Sequence, residues 1–207
     1  DAQESRGLGD VYKRQVPNYV RKVLASHGVL GTVVEWFARV DDSPNAGDPY
    51  DDPTNYRKYA LASVTTHDLP PTAGYLQFEH VQLRERLHLL TESVESFQAS
   101  ATAERQAMLN RLRTLGLISD EEADDADSHI PQIVEAMHAM LRKSPSLLIQ
   151  AALVDGVGER RTQNQPGTSD QYPNWRIPLA DEHGRVVHTD EVFDLPRVKS
   201  LAAIMDA

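Results

Sequence analysis

Three short apolar runs, Val29 to Phe37 (VLGTVVEWF), Leu61 to Thr66 (LASVTT) and Ser146 to Val154 (SLLIQAALV), constrain this chain most, because long polar or helical stretches separate them. Antiparallel strands are joined by tight turns; parallel strands need a crossover of a dozen or more residues, usually helical. Between the first two runs the polar segment ARVDDSPNAGDPYDDPTN sustains neither period, whereas helical periodicity marks the segment before the first run and those around the third. Pro17 opens a first helix with Val20, Val23 and Leu24 on one face and Gly28 as its stop. From Ala73 to Met140 the pattern is mostly helical, in YLQFEHVQLRERLHLL, SATAERQAMLNRLRTLG and IPQIVEAMHAMLRK, and a last amphipathic helix is predicted over Leu195 to Met205. The order predicts an α/β fold with parallel strands and crossover helices. An apolar content of 40% is enough to bury its core.

Polar segments rich in Gly, Asp and Pro follow each strand, as in ARVDDSPNAGDPYDDPTN and ERRTQNQPGTSDQYPNWR. In a (β/α)8 barrel those are the loops of the C-terminal face, where chemistry sits. Three strands cannot close such a barrel, so the order describes its last third. The first fifteen residues, DAQESRGLGDVYKRQ, lack either period and change character at Val16-Pro17. Asp10 to Gln15 back-translates as GAT-GTG-TAT-AAG-AGA-CAG, which resembles a transposase end sequence used in sequencing libraries. Residues 1–15 are therefore expected to be a junction artefact, and 16–207 the native part.

A formal charge of −10, with no basic block, argues against nucleic-acid or anionic-membrane partners. The absence of cysteine suits a reducing cytoplasm, and no apolar run approaches the roughly 20 residues of a membrane helix. The expectation is a soluble, cytoplasmic protein. His80, His88, His129, His138, His183 and His188 lack metal-ligand spacing, so no metal site is expected, and His138 reads as a helix side chain. The acidic run SDEEADDAD reads as a helix start, where carboxylates complement the dipole.

The strand-like run Leu61 to Thr66 stops at His67-Asp68, and Leu69-Pro70-Pro71 forbids its continuation. A carboxylate held rigid at a strand's end can bind sugar hydroxyls or stabilise positive charge on a reacting ring, with an imidazole beside it. On spacing alone, Asp68 equally suits a helix cap and His67 a side chain packed in a turn. The loop TQNQPGTSDQYPNWR combines amides (Gln163, Asn164, Gln165), aromatics (Tyr172, Trp175) and Arg176, the equipment of carbohydrate binding. Taken singly, Trp175 and Arg176 read as staples of that loop. WFARVDD repeats the scheme, with Phe37 and Asp41 just past a strand.

VPNYVRKVLASHGVLGT, YALASVTTHDLPPTAGYL and ALVDGVGERRTQNQPGTSDQYPNWRIPL together resemble, in order and spacing, the C-terminal part of the bacterial 4-α-glucanotransferases, or amylomaltases. The resemblance runs from Pro17 to the end and is most specific in THDLPPTAGYL and NQPGTSDQYPNWR. It implies a (β/α)8 TIM barrel of the α-amylase clan, with these residues forming about strands 6 to 8. Leu90 to Lys143 looks like the longer helical insertion of actinobacterial members. Asp68 matches the family's third catalytic carboxylate, which favours the oxocarbenium-like sugar, and His67 the histidine that hydrogen-bonds the same sugar. Phe37 and Asp41 fall where the family lines its acceptor side, and Asn164 on its Asn-x-Pro-Gly loop. The resemblance implies maltodextrin donors and acceptors, and no metal or organic cofactor.

Two departures accompany it. The family's acid/base glutamate lies in a segment directly before the helix at Pro17, where this chain has GDVYKRQVP and Val11 at the glutamate's position; Glu4 is too far away to replace it. The nucleophile would lie further upstream. Glu35 stands in a strand where the family prefers an apolar residue. The alternative reading is a non-catalytic carbohydrate-binding or scaffold module.

Overall fold

A computed structural model describes residues 18–40 and 48–206. Helix α1, Asn18–Ser26, ends where Gly28 takes φ +70° and the Val29 amide bonds back to the Leu24 carbonyl at 2.9 Å. Only a residue without a Cβ adopts that left-handed turn without strain. Three strands follow in the order β1-β2-β3: β1 Gly31–Val34, β2 Ala60–Ser63 and β3 Leu148–Gln150. They are parallel, with Gly31 to Val34 beside Ala60 to Ser63 and Leu61 to Ser63 beside Leu148 to Gln150.

Between β2 and β3 stand α2 Thr72–Leu76, α3 Glu79–Arg86, α4 Val94–Thr114, α5 Asp120–Asp124 and α6 Ile130–Leu141. After β3 come α7 Leu153–Val157 and α8 Pro196–Asp206. The acidic run forms α5, whose start is a reciprocal cap: the Glu122 amide donates to Ser119 Oγ and the Ser119 amide to the Glu122 carboxylate.

All three strands end before their apolar runs do, the second at Ser63. The first coils into a 3-10 turn at Glu35–Phe37, because Trp36 enters the core, 1% exposed, and Glu35 is buried against polar partners from other elements. The third stops at Gln150, and Val154 and Asp155, expected at the strand's end, lie in α7. Asp155 is drawn inward by a distant segment: it accepts from the Thr72 amide at 2.7 Å and the Thr72 hydroxyl at 2.8 Å. A strand geometry at 153–155 would break both bonds.

Alternation along the strands sorts side chains to two faces. Val33, Ala62, Val64 and Ile149 join Met108 and Leu112 of α4 and Ile133, Met137, Met140 and Leu141 of α6 in the main core. Full burial of each such large side chain is worth about 1.5–3 kcal/mol. On the opposite face Thr32, Val34, Leu61, Ser63 and Gln150 line a cavity of about 610 Å³. A parallel sheet ordinarily buries both faces, so this one presents an unfilled side.

Tyr75 of α2 is stacked between Trp36 and His80, each at 4.2 Å between ring centroids. His80 is 6% exposed, and burial, reinforced by Arg84, pushes its imidazole down to about 4. Between about pH 6.5 and 4 the unfolded chain binds a proton there that the folded one does not, so stability falls as pH falls through this window. The loss saturates near 3 kcal/mol below pH 4. Urea unfolding at pH 7 and pH 4 is expected to show a change that is less favourable in the parent chain than in His80→Gln by about 3 kcal/mol; equal changes in the two would remove His80 as a source of pH dependence.

Candidate functional site

All three strands point their carboxyl ends the same way, and His67, Asp68 and Asn164 meet at that end. Beyond β2 the chain bends at Val64, stays buried through Val64 and Thr65, then turns, with the Leu69 amide bonding to the Thr66 carbonyl at 3.1 Å. The Thr65 hydroxyl closes the turn by donating to the Pro70 carbonyl at 2.9 Å. Proline cannot offer an amide to extend the ladder, so the turn is forced, and His67 and Asp68 occupy its tip. Their side chains are 62% and 53% exposed, with His67 Nε2 3.4 Å from Asp68 Oδ1.

The loop after α7 meets this tip. Asn164 Nδ2 donates to Asp68 Oδ1 at 2.7 Å across 96 residues of sequence. The Trp175 ring lies 5.2 Å from the His67 ring and is 64% exposed. Trp175 holds φ +61°, a left-handed conformation costly for a bulky residue, and its amide donates to the Gln163 carbonyl at 2.9 Å. Exposed strain of this kind is a mark of functional sites. Trp175 and Arg176 are therefore not the loop's staples: both are exposed. Tyr172 and Asn174 do that work, the Tyr172 hydroxyl donating to the Thr162 carbonyl at 2.6 Å and Asn174 Oδ1 accepting from the Gln165 amide at 2.7 Å.

Glu159 fixes the loop's base. It is 2% exposed and accepts from the amides of Arg160, Arg161 and Ala180 and from the Arg161 guanidinium. Burial alone would raise its carboxyl, but the bonds from Arg161 hold it below the ordinary value. The segment also touches α2, since a Cβ built on Gly74 would stand 2.1 Å from the Arg160 carbonyl oxygen. Asp155 anchors α2 from below through Thr72. Burial pushes its carboxyl up, opposed by His138, which is itself fully buried in α6. His138 Nδ1 lies 2.8 Å from the Val134 carbonyl and Nε2 3.6 Å from Asp155 Oδ2.

Phe37 is 52% exposed in the turn after β1 and lines a second cleft, which shares Thr32 and Val34 with the first. Asp41 lies outside the described residues. The chain on either side of it pairs, the Val40 amide bonding to the Pro49 carbonyl at 3.1 Å and the Asp51 amide to Ala38 at 2.8 Å. The structure thus brings His67, Asp68 and Asn164 together and sets Phe37 past the neighbouring strand. Trp175 and Gln163, which sequence analysis named among the loop's aromatics and amides without giving either a place in the site, line the 610 Å³ cavity with His67. The pairing of Tyr-Pro-Asn-Trp with an upstream amide run was the available signal.

A carboxylate between an imidazole and an amide, beside an exposed indole face, suits a polyhydroxylated ring: its hydroxyls find acceptors and donors, its apolar face the indole. Among the described residues no group of three or more His, Asp or Glu could hold a metal ion, and no helix is long and apolar enough to cross a membrane.

Comparison with known proteins shows the family. The profile of a family described as 4-alpha-glucanotransferase matches residues 14–183. A protein of Mycobacterium tuberculosis named 4-alpha-glucanotransferase is 45% identical over 192 residues, covering 93% of this chain and 26% of the relative. One of the same name from Haemophilus influenzae is 28% identical over 169 residues, covering 80% of this chain and 23% of the relative. The crystal structure of amylomaltase from Corynebacterium glutamicum superposes with a TM-score of 0.83 at 35% identity, over 92% of this chain and 27% of that one. The chain spans about a quarter of the length of these relatives.

Proposed function

The chain belongs to the 4-alpha-glucanotransferase family, and on that premise we propose that it forms the C-terminal part, about strands 6 to 8, of a (β/α)8 barrel that transfers α-1,4-glucan segments between maltodextrins. The parallel order, the two open sheet edges and the unfilled cavity-lining face support the barrel reading. Remaining strands would continue the sheet from both edges and close over that face. The helices of residues 90–143 are the insertion in this reading.

The observation that carries the functional proposal is the 2.7 Å bond from Asn164 to Asp68, made beside His67 and Trp175 at the carboxyl end of the sheet. In a retaining double displacement a nucleophile forms a glycosyl-enzyme, and the 4-hydroxyl of a second glucan takes the sugar in place of water. Asp68 is the carboxylate whose interaction strengthens as positive charge develops on the ring, while Asn164 holds its orientation. His67 hydrogen-bonds the same sugar, and Phe37 and Asp41 line the acceptor side. The nucleophile and the acid/base belong to residues outside this chain. A cytoplasmic protein with maltodextrin partners, and neither nucleic acid nor membrane, completes the proposal.

The test is incubation with maltotriose and chromatography of the products. A protein of the relatives' full length carrying these residues is expected to yield glucose together with longer maltodextrins. Glucose and maltose without longer products would replace transfer by hydrolysis. The 207-residue chain alone is expected to give nothing above background, because a third carboxylate can neither attack the anomeric carbon nor protonate the leaving oxygen.

Trp175→Ala separates the indole's contribution from that of the carboxylate. In the full-length protein it is expected to weaken maltodextrin binding about tenfold, roughly 1.4 kcal/mol, with the rate at saturation changed much less. Calorimetric titration with maltoheptaose checks this, and unchanged affinity would remove Trp175 from the site.

A further inference from the structure

Glu35, an acid buried just past β1, is explained by helix α4. It is 0% exposed, and burial pushes its carboxyl up against the opposing pull of Arg111. Arg111 of α4 donates to it directly and also to the Asp51 carbonyl, while the Tyr56 hydroxyl donates to the second Glu35 oxygen at 2.7 Å. About two turns earlier on the same face of α4, Glu104 pairs with Arg39 at 2.7 Å and accepts from the Tyr75 hydroxyl. Arg39 is 5% exposed, donates to the Asp48 carbonyl at 2.5 Å and to the Tyr50 hydroxyl at 2.9 Å, and lies 3.7 Å above the Tyr50 ring. Met108, between the two charged positions, is fully buried in the core. One helix therefore grips both ends of the segment from Glu35 to Val40, and ties it to α2 through Tyr75.

We propose that α4 is a positioning clamp: Arg111 and Glu104, through Glu35 and Arg39, fix the turn that carries Phe37, so that the helical insertion sets the geometry of the acceptor side. This rests on the reading of Phe37 given above. Buried ion pairs add little net stability over apolar residues of similar size, but they are directional. Apolar contact would hold the turn against α4 without fixing its rotation. Two ion pairs at separated points define its orientation, and the Trp36 ring, stacked on Tyr75 between them, marks the same orientation.

The experiment compares Arg111→Met with the double variant Glu35→Met with Arg111→Met in the full-length protein. The single variant strands a buried carboxylate and is expected to lose stability. The double variant removes both charges together and is expected to melt near the parent. Two readouts are taken on the double variant. Hydrogen exchange of peptides covering residues 35–40 is expected to run at least tenfold faster than in the parent. The acceptor KM is expected to rise about tenfold, while the single-turnover rate of donor cleavage stays within twofold. Parent-like exchange, or parent-like acceptor KM, in the folded double variant would overturn the proposal, because the Glu35–Arg111 pair would then serve stability alone and a clamp held at two points would be reduced to one. Should the full-length parent transfer no glucan, the functional reading fails, and the exchange experiment decides the clamp by itself.

Discussion

Replacing Asp68 by Asn in the full-length protein is expected to reduce glucan transfer at least a thousandfold while leaving maltodextrin affinity within about tenfold. The substitution preserves shape, and Asn retains a carbonyl oxygen able to accept the bond that Asn164 Nδ2 now donates at 2.7 Å. What it removes is the negative charge. In the ground state a neutral sugar gains only hydrogen bonds from that group, worth about 1 kcal/mol each net of water. In the transition state the ring carries positive charge, and losing one oriented charge there costs about 4 kcal/mol or more, which at 1.36 kcal/mol per decade is a thousandfold in rate. Steady-state kinetics beside calorimetric titration separate the two. Parallel losses in rate and affinity would support the carbohydrate-binding module and remove Asp68 from catalysis.

Gly74→Ala carries the second largest expected effect, on stability. The new methyl would stand 2.1 Å from the Arg160 carbonyl oxygen and 3.2 Å from its Cα, so backbone must yield on one side. The neighbours leave little room for it to do so. Thr72, two residues earlier, is bonded through amide and hydroxyl to the buried Asp155, and Glu159 accepts from the Arg160 amide at 3.0 Å. Overpacking costs about 1–3 kcal/mol, and disturbing the Thr72 bonds to a buried carboxylate adds to it, for about 3 kcal/mol or more. Gly184→Ala supplies the contrast: its φ of +79° is strained for alanine, but nothing stands within 4 Å of the added methyl, so a loss of about 1 kcal/mol is expected. Urea unfolding ranks the variants; a Gly74→Ala midpoint equal to that of Gly184→Ala would show that α2 and the 158–162 segment do not pack as closely as described.

Both expectations depend on neighbours far apart in the chain, and there the sequence and the fold divide. Local pattern sufficed for parallel strands, because apolar runs separated by long polar or helical spans leave no tight turn for a hairpin. It sufficed to place His67 and Asp68 at the tip of a turn, since Pro70 and Pro71 cannot extend a ladder, and for the ends of α1 and α5, where Gly28 and Ser119 act within a few residues. The resemblance in THDLPPTAGYL and NQPGTSDQYPNWR singled out Asp68, His67 and Asn164. The tertiary structure alone decided the rest. It shortened the third strand, because Asp155 answers to Thr72, 83 residues away. It left Trp175 exposed beside His67 while Tyr172 and Asn174 braced the loop. It gave Glu35 its partner in Arg111, 76 residues on, where the resemblance implied an apolar residue. Periodicity and propensity report interactions within a turn or two of chain; a buried charge is settled by whichever distant group the fold carries to it, and its burial costs too much for any other arrangement.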